Sequence, residues 1–487
     1  MKYLKELFDC DIDMKIYSIH SDSRYVKPYS IFFCIEGLSV DGHRYVEDAI
    51  FQGAKVIVHC KELDYYHDNI HYFKVDDTLV ELNRVSNVFY DYPSSKMKII
   101  GVTGTSGKTV VASMIKDAMS KYCSTGYIGT ISLEYNGRIE DCPYTTPESL
   151  FLQRKLFEMQ RGKVKVVAME ASSHGLALGR VDGIDFSIAV MTNIGSEHLD
   201  FHGTRQQYVL AKQKLFEKIK PSGWAILNSD DSNFVQIKNS TQGRILTYGI
   251  NNDSDVMASN IELFLDHSEF DITFKGNTFH VSSPVLALFN VYNVLALVCV
   301  LIAMGCDDMM IIDAIENVKA IEGRMELIET GQNFHVIVDY CQHIANYQAV
   351  FKYVDSVRPN HGRLIAVLGA PGKRNYKLRK ELGKLANKYL DHVILTRLDD
   401  RGEDNEVICK AIQEEIIDIS SVIIESRQVA IEQALQLACK DDIVLILGKG
   451  HEKFISLDVG QVDYPGDKEI IKEAIKRIYG DGDDEEL

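Results

Sequence analysis

Several things are scarce or missing in this chain, and each absence narrows what it can be. Its ten cysteines include no Cys-x-x-Cys pair, which argues against a disulfide framework or a zinc site and for reduced, mostly buried thiols in the cytoplasm. Basic residues are outnumbered, 53 Lys and Arg against 70 Asp and Glu, for a formal net charge of −17. So acidic a balance argues against nucleic acid or an anionic membrane as the main partner. The first residues, Met1-Lys-Tyr-Leu-Lys-Glu-Leu-Phe8, lack the apolar core of a signal peptide. One stretch without charge, Val285 to Cys306, is interrupted by Asn290, Tyr292 and Asn293 and has no Lys or Arg close by. A buried core helix, with no membrane insertion, is therefore expected there. There is no internal repeat, no low-complexity linker, and no Asn-Lys-x-Asp or Thr-Lys-x-Asp base-reading motif, which counts against a GTPase.

Apolar residues make up 46% of the chain, enough for packed cores, and 487 residues call for two to four domains. The most informative stretch is Gly101-Val-Thr-Gly-Thr-Ser-Gly-Lys-Thr109. It follows the apolar run Met97–Ile100 and leads into Val110–Met119, whose spacing predicts a helix. Strand, glycine-rich turn and helix are the setting of a phosphate-binding loop. There the backbone N–H groups of Gly104, Thr105, Ser106 and Gly107 form a nest for phosphate oxygens. Lys108 would reach the terminal phosphates of ATP, and the Thr109 hydroxyl can ligate Mg2+. An idle glycine-rich surface turn is the bland alternative, and the register of strand, lysine, threonine and helix weighs against it.

Taken in order, the chain reads as three α/β domains. Residues 1–95 hold strand-like runs at Ile31–Ile35 and Ala54–Val58, a helix from Tyr45 to Gly53, and two polar knots, Ser21-Asp-Ser-Arg24 and Ser39-Val-Asp-Gly-His43. Residues 96–328 alternate strands and helices as a doubly wound P-loop domain does. Val164–Met169 runs into Glu170-Ala-Ser-Ser-His174, and Phe186–Met191 into Thr192-Asn193 and Glu197-His198. Open α/β sheets bind ligands beyond the carboxyl ends of their strands, so the phosphate loop, Glu170 and His198 are expected around one crevice, where carboxylate and imidazole are reasonable Mg2+ ligands. Taken singly, Glu170 reads equally well as a helix cap and His198 as a satisfied polar side chain. Residues 329–487 form a Rossmann-like unit with strands at Val336–Tyr340, Leu364–Leu368, His392–Thr396 and Ile443–Leu447. The tail Gly480-Asp-Gly-Asp-Asp-Glu-Glu-Leu487 is acidic and expected to fray.

Together these strand-end motifs resemble, over nearly the whole chain, those of the Mur ligase family. The likeness is greatest to its MurE type, which adds the third amino acid to UDP-N-acetylmuramoyl-L-alanyl-D-glutamate. The resemblance implies uridine-nucleotide contacts at Asp22-Ser23-Arg24 and at Asp41, Gly42 and His43. It implies muramoyl-peptide contacts at Thr145, Thr146, Ser172 and Arg180, and further ATP contacts at Asn293, Arg324 and Asp339. Arg374, Leu398, Asp399, Asp400, Arg401, Gly448 and Glu452 fall where such ligases hold the incoming amino acid. Lys212 falls at the family's carbamylated lysine; without the resemblance it reads as a helix-surface lysine. The resemblance implies a monomeric, cytoplasmic enzyme of peptidoglycan synthesis, serving cell-wall biogenesis, cell shape and cell division. It would use ATP, two Mg2+ and a CO2-derived carbamate on Lys212, with Thr109, Glu170, His198 and Lys212 holding metal.

The departures from the family pattern are specific. Ser106 replaces an asparagine, Glu197 an aspartate, and Gln342 the histidine of an Asp-Tyr-Ala-His motif. Lys373-Arg374 replaces Asp-Arg, and the diaminopimelate selector Asp-Asn-Pro-Arg reads Leu398-Asp-Asp-Arg401. An arginine at 401 can still grip a substrate carboxylate bidentately, so meso-diaminopimelate is favoured, with L-lysine or another amino acid open. The changes at 342 and 398–401 keep alive a paralogue that joins a different amino acid to a different carboxylate, of secondary-metabolite or polyglutamyl type. Against a nucleotide-hydrolysing switch stands the missing base-reading motif. Against an inactive scaffold stands the joint retention of Lys108, Glu170, His198 and Lys212.

Overall fold

The computed structural model describes residues 1–37 and 40–479, so Ser39 of the expected polar loop and the acidic tail lie outside the described residues. The chain divides into two compact units, one of residues 1–257 with 295–307, the other of 258–294 with 308–487.

The first unit holds, besides a two-stranded ribbon of Lys2–Tyr3 with Lys15–Ile16, two main sheets. The smaller is four-stranded and parallel, in the order β1 (Ser18–His20), β2 (Ser30–Phe33), β3 (Ala54–His59), β4 (His71–Lys74). Its β-branched and aromatic runs are buried, with Ile31, Phe33, Val56 and Val58 in one core and Phe32 and Ile57 in another. The expected helix after Tyr45 forms over Val46–Phe51.

The larger sheet centres on β5 (Lys98–Thr103), which leads through the glycine-rich turn into α1 (Lys108–Ser120). On one side of β5 lies β7 (Val166–Glu170), then β6 (Thr125–Ile128). On the other lie β8 (Ile188–Met191), β9 (Trp224–Asn228) and β10 (Arg244–Gly249). All these pairings are parallel, with Met169 opposite Gly101 and Val190 opposite Val102. Parallel strands covered on both faces must be apolar throughout, and every residue of β7 and β8 is buried. The parallel register puts the carboxyl ends of β7, β5 and β8 side by side. α2 (Arg205–Glu217) follows, buried along Tyr208, Val209, Ala211, Lys212, Leu215 and Phe216.

The uncharged stretch forms a helix, α3 (Leu288–Met304), with Val291 and Val294 to Val300 wholly buried. Among the described residues no helix is long and apolar enough to cross a membrane.

The second unit contains an antiparallel hairpin, Ser268–Phe274 with Asn277–Ser283, for which the sequence reading had no place. Its main sheet runs Glu326–Leu327, β11 (His335–Asp339), β15 (Ile443–Leu447), β12 (Leu364–Leu368), β13 (His392–Thr396) and β14 (Ser420–Ile424). Only the first pairing is antiparallel. Cores on its two faces bury alternate residues of each strand, Ile337, Leu445 and Ala366 on one side and Val338, Ile446 and Val367 on the other.

Candidate functional site

The glycine-rich turn is held from behind by the end of β8. The Thr105 N–H donates to the Asn193 carbonyl at 2.7 Å, the Ser106 N–H to the Asn193 side-chain oxygen at 3.1 Å, and the Thr192 hydroxyl to the Ser106 carbonyl at 2.6 Å. Gly107 caps α1 at φ +87°, a left-handed conformation that suits glycine. A Cβ on Gly104 would collide with the Thr192 side chain. Thirteen aligned peptide units follow in α1, so its N-terminus carries the partial positive charge that favours phosphate. Lys108 Nζ lies 3.0 Å from the carbonyl oxygens of both Gly104 and Thr105.

Glu170, at the end of β7, is wholly buried. Its carboxylate accepts from the Tyr127 hydroxyl (2.8 Å), the Thr130 N–H (2.8 Å), the Thr130 hydroxyl (3.2 Å) and the Thr109 hydroxyl (3.0 Å). So many donors compensate a buried negative charge. This joins Thr109 of the phosphate loop directly to the neighbouring strand end.

Lys212 reaches the same loop from α2. Its side chain is 1% exposed, its Nζ donates to the Gly104 carbonyl at 2.7 Å, and it sits 4.5 Å from the centre of the Tyr208 ring. Burial, then the nearby Lys108 charge, pushes the Lys212 ammonium well below the usual lysine range. Lys108 and Lys212 thus converge on one carbonyl, and the expectation of a helix-surface lysine is replaced by a fully buried amine. Tyr208 is tied to the loop as well, its hydroxyl 2.9 Å from that of Thr105. His198, at φ +53° before the short helix Leu199–His202, has its ring centre 6.4 Å from Tyr208 and 4.7 Å from His174. Among the described residues no three His, Cys, Asp or Glu side chains form a ready-made metal cage. A divalent ion here would rest on a mixed set of hydroxyl, carboxylate and imidazole, completed by oxygens of the nucleotide or a modified lysine.

The residues expected at the muramoyl peptide extend this network. The Thr145 hydroxyl lies 3.0 Å from that of Thr130, and the Thr146 hydroxyl donates to the Glu170 carbonyl at 2.8 Å and accepts from the Ser172 N–H at 2.9 Å. Ser172 caps the helix Ser173–Ala177 by accepting from the Gly175 N–H, and Arg180 donates to the Thr146 carbonyl at 2.9 Å. In the small sheet, Ser23 follows β1 and Asp41, Gly42 and His43 follow β2, both at strand carboxyl ends. Asp41 accepts from the His43 N–H (3.0 Å) and from Lys61 (2.8 Å) and lies 2.6 Å from His43 Nδ1. Lys61, and then His43, holds its carboxyl well below the usual range.

The second unit gathers the residues expected at the amino acid. The Asp399 carboxylate accepts from Lys449 (3.0 Å) and the Ser456 N–H (2.8 Å), with Arg401 Nη2 at 3.8 Å. Glu452 accepts from Lys449 (2.5 Å) and the Tyr340 hydroxyl (2.8 Å). Arg401 is pulled below the usual guanidinium range by burial and by the neighbouring Arg374. Leu398 packs against Gly448, where a Cβ would lie 2.7 Å from its Cδ1. Asp400 faces away, toward the Gly402 N–H (3.1 Å) and Arg397 (3.1 Å). Gln342 donates to the Gly448 carbonyl at 2.8 Å, a job a neutral histidine ring N–H could also do. Of the expected ATP contacts, Asn293, Arg324 and Asp339 lie in this unit. The Arg324 guanidinium is 4.5 Å from the Tyr340 ring centre, Asp339 accepts from the Met325 N–H at 2.8 Å, and Asn293 donates to the Asn290 side chain at 2.8 Å.

Sequence alone gives Tyr127, Thr130, Tyr208, Tyr340 and Lys449 no role, because each acts through a partner distant in the chain; Asn193 carries a local signal at its strand end.

Three family models match the chain: "Mur ligase family, catalytic domain" over residues 15–94, "Mur ligase middle domain" over 102–301 and "Mur ligase, glutamate ligase domain" over 323–450. A Bacillus licheniformis protein named UDP-N-acetylmuramoyl-L-alanyl-D-glutamate--2,6-diaminopimelate ligase is 36% identical over 473 residues, covering 96% of each chain. A Borreliella afzelii protein named UDP-N-acetylmuramyl-tripeptide synthetase is 36% identical, covering 98% of this chain and 95% of its own. A solved structure titled as a UDP-N-acetylmuramoyl-L-alanyl-D-glutamate--2,6-diaminopimelate ligase superposes with a TM-score of 0.72 at 27% identity, covering 98% of this chain and 99% of its own.

Proposed function

The chain belongs to the Mur ligase family, and from that premise we propose that it joins a diamino acid to UDP-N-acetylmuramoyl-L-alanyl-D-glutamate with cleavage of ATP. The diamino acid is meso-diaminopimelate or L-lysine, and the product a peptidoglycan precursor. The observation that carries this reading is the meeting of Thr109 with Glu170 at the ends of adjacent strands, and of Lys108 with Lys212 on the Gly104 carbonyl. We assign residues 1–95 to the UDP-muramoyl substrate, 96–328 to ATP and 329–487 to the amino acid.

In this reading the γ-carboxylate of the D-glutamyl residue attacks the γ-phosphorus of ATP, the bond to ADP breaks, and an acyl phosphate forms. The amine of the diamino acid then attacks the acyl carbon, loses its proton, and expels inorganic phosphate. Little covalent work falls to the protein; it positions groups and neutralises charge. The N–H groups of residues 104–107 cradle phosphate, and Lys108 balances charge on the migrating phosphoryl group. Ser23, Asp41 and His43 hold the uridine end, with Thr145, Thr146, Ser172 and Arg180 on the peptide. Thr109, Glu170, His198 and a carbamylated Lys212 would hold two Mg2+, which supply charge neutralisation at the phosphates. The site fits that chemistry: a buried lysine whose ammonium form is disfavoured offers the neutral amine that CO2 uptake requires.

The reading is tested by incubating the purified protein with ATP, the UDP-muramoyl dipeptide and single amino acids, and reading the product by mass. An adduct of the dipeptide with one diamino acid is expected. Adducts only with other amino acids or other carboxylates would transfer the chain to a paralogous ligase activity.

A further inference from the structure

We propose that Lys449 is a positioning residue for the incoming amino acid, holding the side chains of Glu452 and Asp399 together; this rests on the reading that the second unit takes up a diamino acid. Lys449 follows β15 and its side chain is 0% exposed. It is a cation withdrawn from water, and such a group persists only where it is paired. Its partners come from two loops: Asp399 at 3.0 Å after β13, and Glu452 at 2.5 Å on its own loop. A third segment closes over it, with the Phe454 ring centre 4.8 Å from Nζ and the Ser456 N–H donating to the Asp399 oxygen that Lys449 also contacts.

No substrate can reach this ammonium directly, so its effect passes through the carboxylates. A carboxylate has about four lone-pair sites, and the contacts from Lys449 and Tyr340 leave Glu452 able to accept from a substrate ammonium. Removing Lys449 leaves two carboxylates, 9% and 13% exposed, without their shared cation. Two neighbouring carboxylates without that cation repel one another, so Glu452 no longer stands where Lys449 holds it. The other charged groups facing them are Arg401 beside Asp399, with Arg374 next to Arg401, and Tyr340, Arg324 and His451 on the Glu452 side. Burial, then the Arg324 and Lys449 charges, depresses His451 to about 3 in the native protein, so it adds no cation there.

The test compares wild type, Lys449→Met and the double variant Lys449→Met/Asp399→Asn in steady-state kinetics with the diamino acid the wild type uses. At about pH 7, Lys449→Met is expected to raise KM for the amino acid at least about tenfold, with KM for ATP and for the dipeptide unchanged. The double variant, with cation and one anion removed together, should raise KM less than the single variant, since Glu452 no longer faces an uncompensated like charge. It also remains informative should the single variant fail to fold. An unchanged amino-acid KM in either variant, or a double variant as impaired as the single one, would overturn the positioning role while wild-type turnover left the ligase reading standing. Absence of wild-type turnover with any diamino acid would remove both.

Discussion

Replacing Lys212 by methionine keeps a four-atom unbranched stem, with sulfur for one methylene, and removes the amine, which makes the variant a probe of protonation state. In the native protein the Lys212 ammonium is pushed well below the ordinary lysine value, first by burial and then by Lys108. In the unfolded chain the same amine titrates near about 10.4. Between those two values the unfolded state holds one proton more than the native state, so native stability rises with pH. The slope is about 1.4 kcal/mol per pH unit, and it vanishes above the unfolded value. Lys212→Met loses the 2.7 Å contact with the Gly104 carbonyl, about 0.5–1.5 kcal/mol, and has no such slope. Stability of wild type relative to the variant should therefore climb by about 1.4 kcal/mol from about pH 9 to pH 10. Trp224, the single tryptophan, lies in β9 of the same sheet and reports unfolding of this unit by fluorescence in a denaturant series. Parallel wild-type and variant curves would show that Lys212 stays charged in the fold, and the case for a carbamate would fall. Bicarbonate should stabilise wild type more than the variant, which lacks the buried amine whose neutral form takes up CO2. The variant should lose turnover, and bicarbonate should fail to restore it.

Arg401→Ala should raise KM for the amino acid more than KM for ATP, since Arg401 stands with Asp399 and Arg374; an unchanged amino-acid KM would mean the selector lies elsewhere. Tyr208→Phe removes the hydroxyl 2.9 Å from Thr105, and should cost about 1 kcal/mol of stability and weaken ATP binding severalfold, measured by titration with nucleotide. Asp467→Asn breaks a bidentate pair with Arg427 whose side chains are 0% and 1% exposed. It should destabilise the second unit by about 3–5 kcal/mol in denaturant melts, while the dipeptide KM stays at its wild-type value.

Sequence patterning announced the parallel strands well, because a strand buried on both faces leaves an uninterrupted apolar run. Leu364–Leu368 and Ile443–Leu447 formed with their expected ends. Helix Val110–Met119 began two residues early, at Lys108, since Gly107 supplies the cap. The hairpin Ser268–Phe274/Asn277–Ser283 escaped notice: its alternation of buried and half-buried residues is interleaved with charged positions, and its partners were not recognisable from one strand. At the site, Glu170 and the phosphate loop were visible because strand ends point at ligands. The burial of Lys212 was not, because helix periodicity around it is weak and a lysine reads as solvent-facing by default. Nor was Lys449 legible, since its two carboxylate partners matter only once the loops after β13 and β15 are neighbours.

The central claim is that the triphosphate, the acid and the amine are consumed together, and phosphate release measured with each co-substrate left out in turn tests it most directly. Sustained release is expected only when the UDP-muramoyl dipeptide and the diamino acid are both present with ATP. Steady hydrolysis of ATP alone, at a rate neither co-substrate changes, would contradict it.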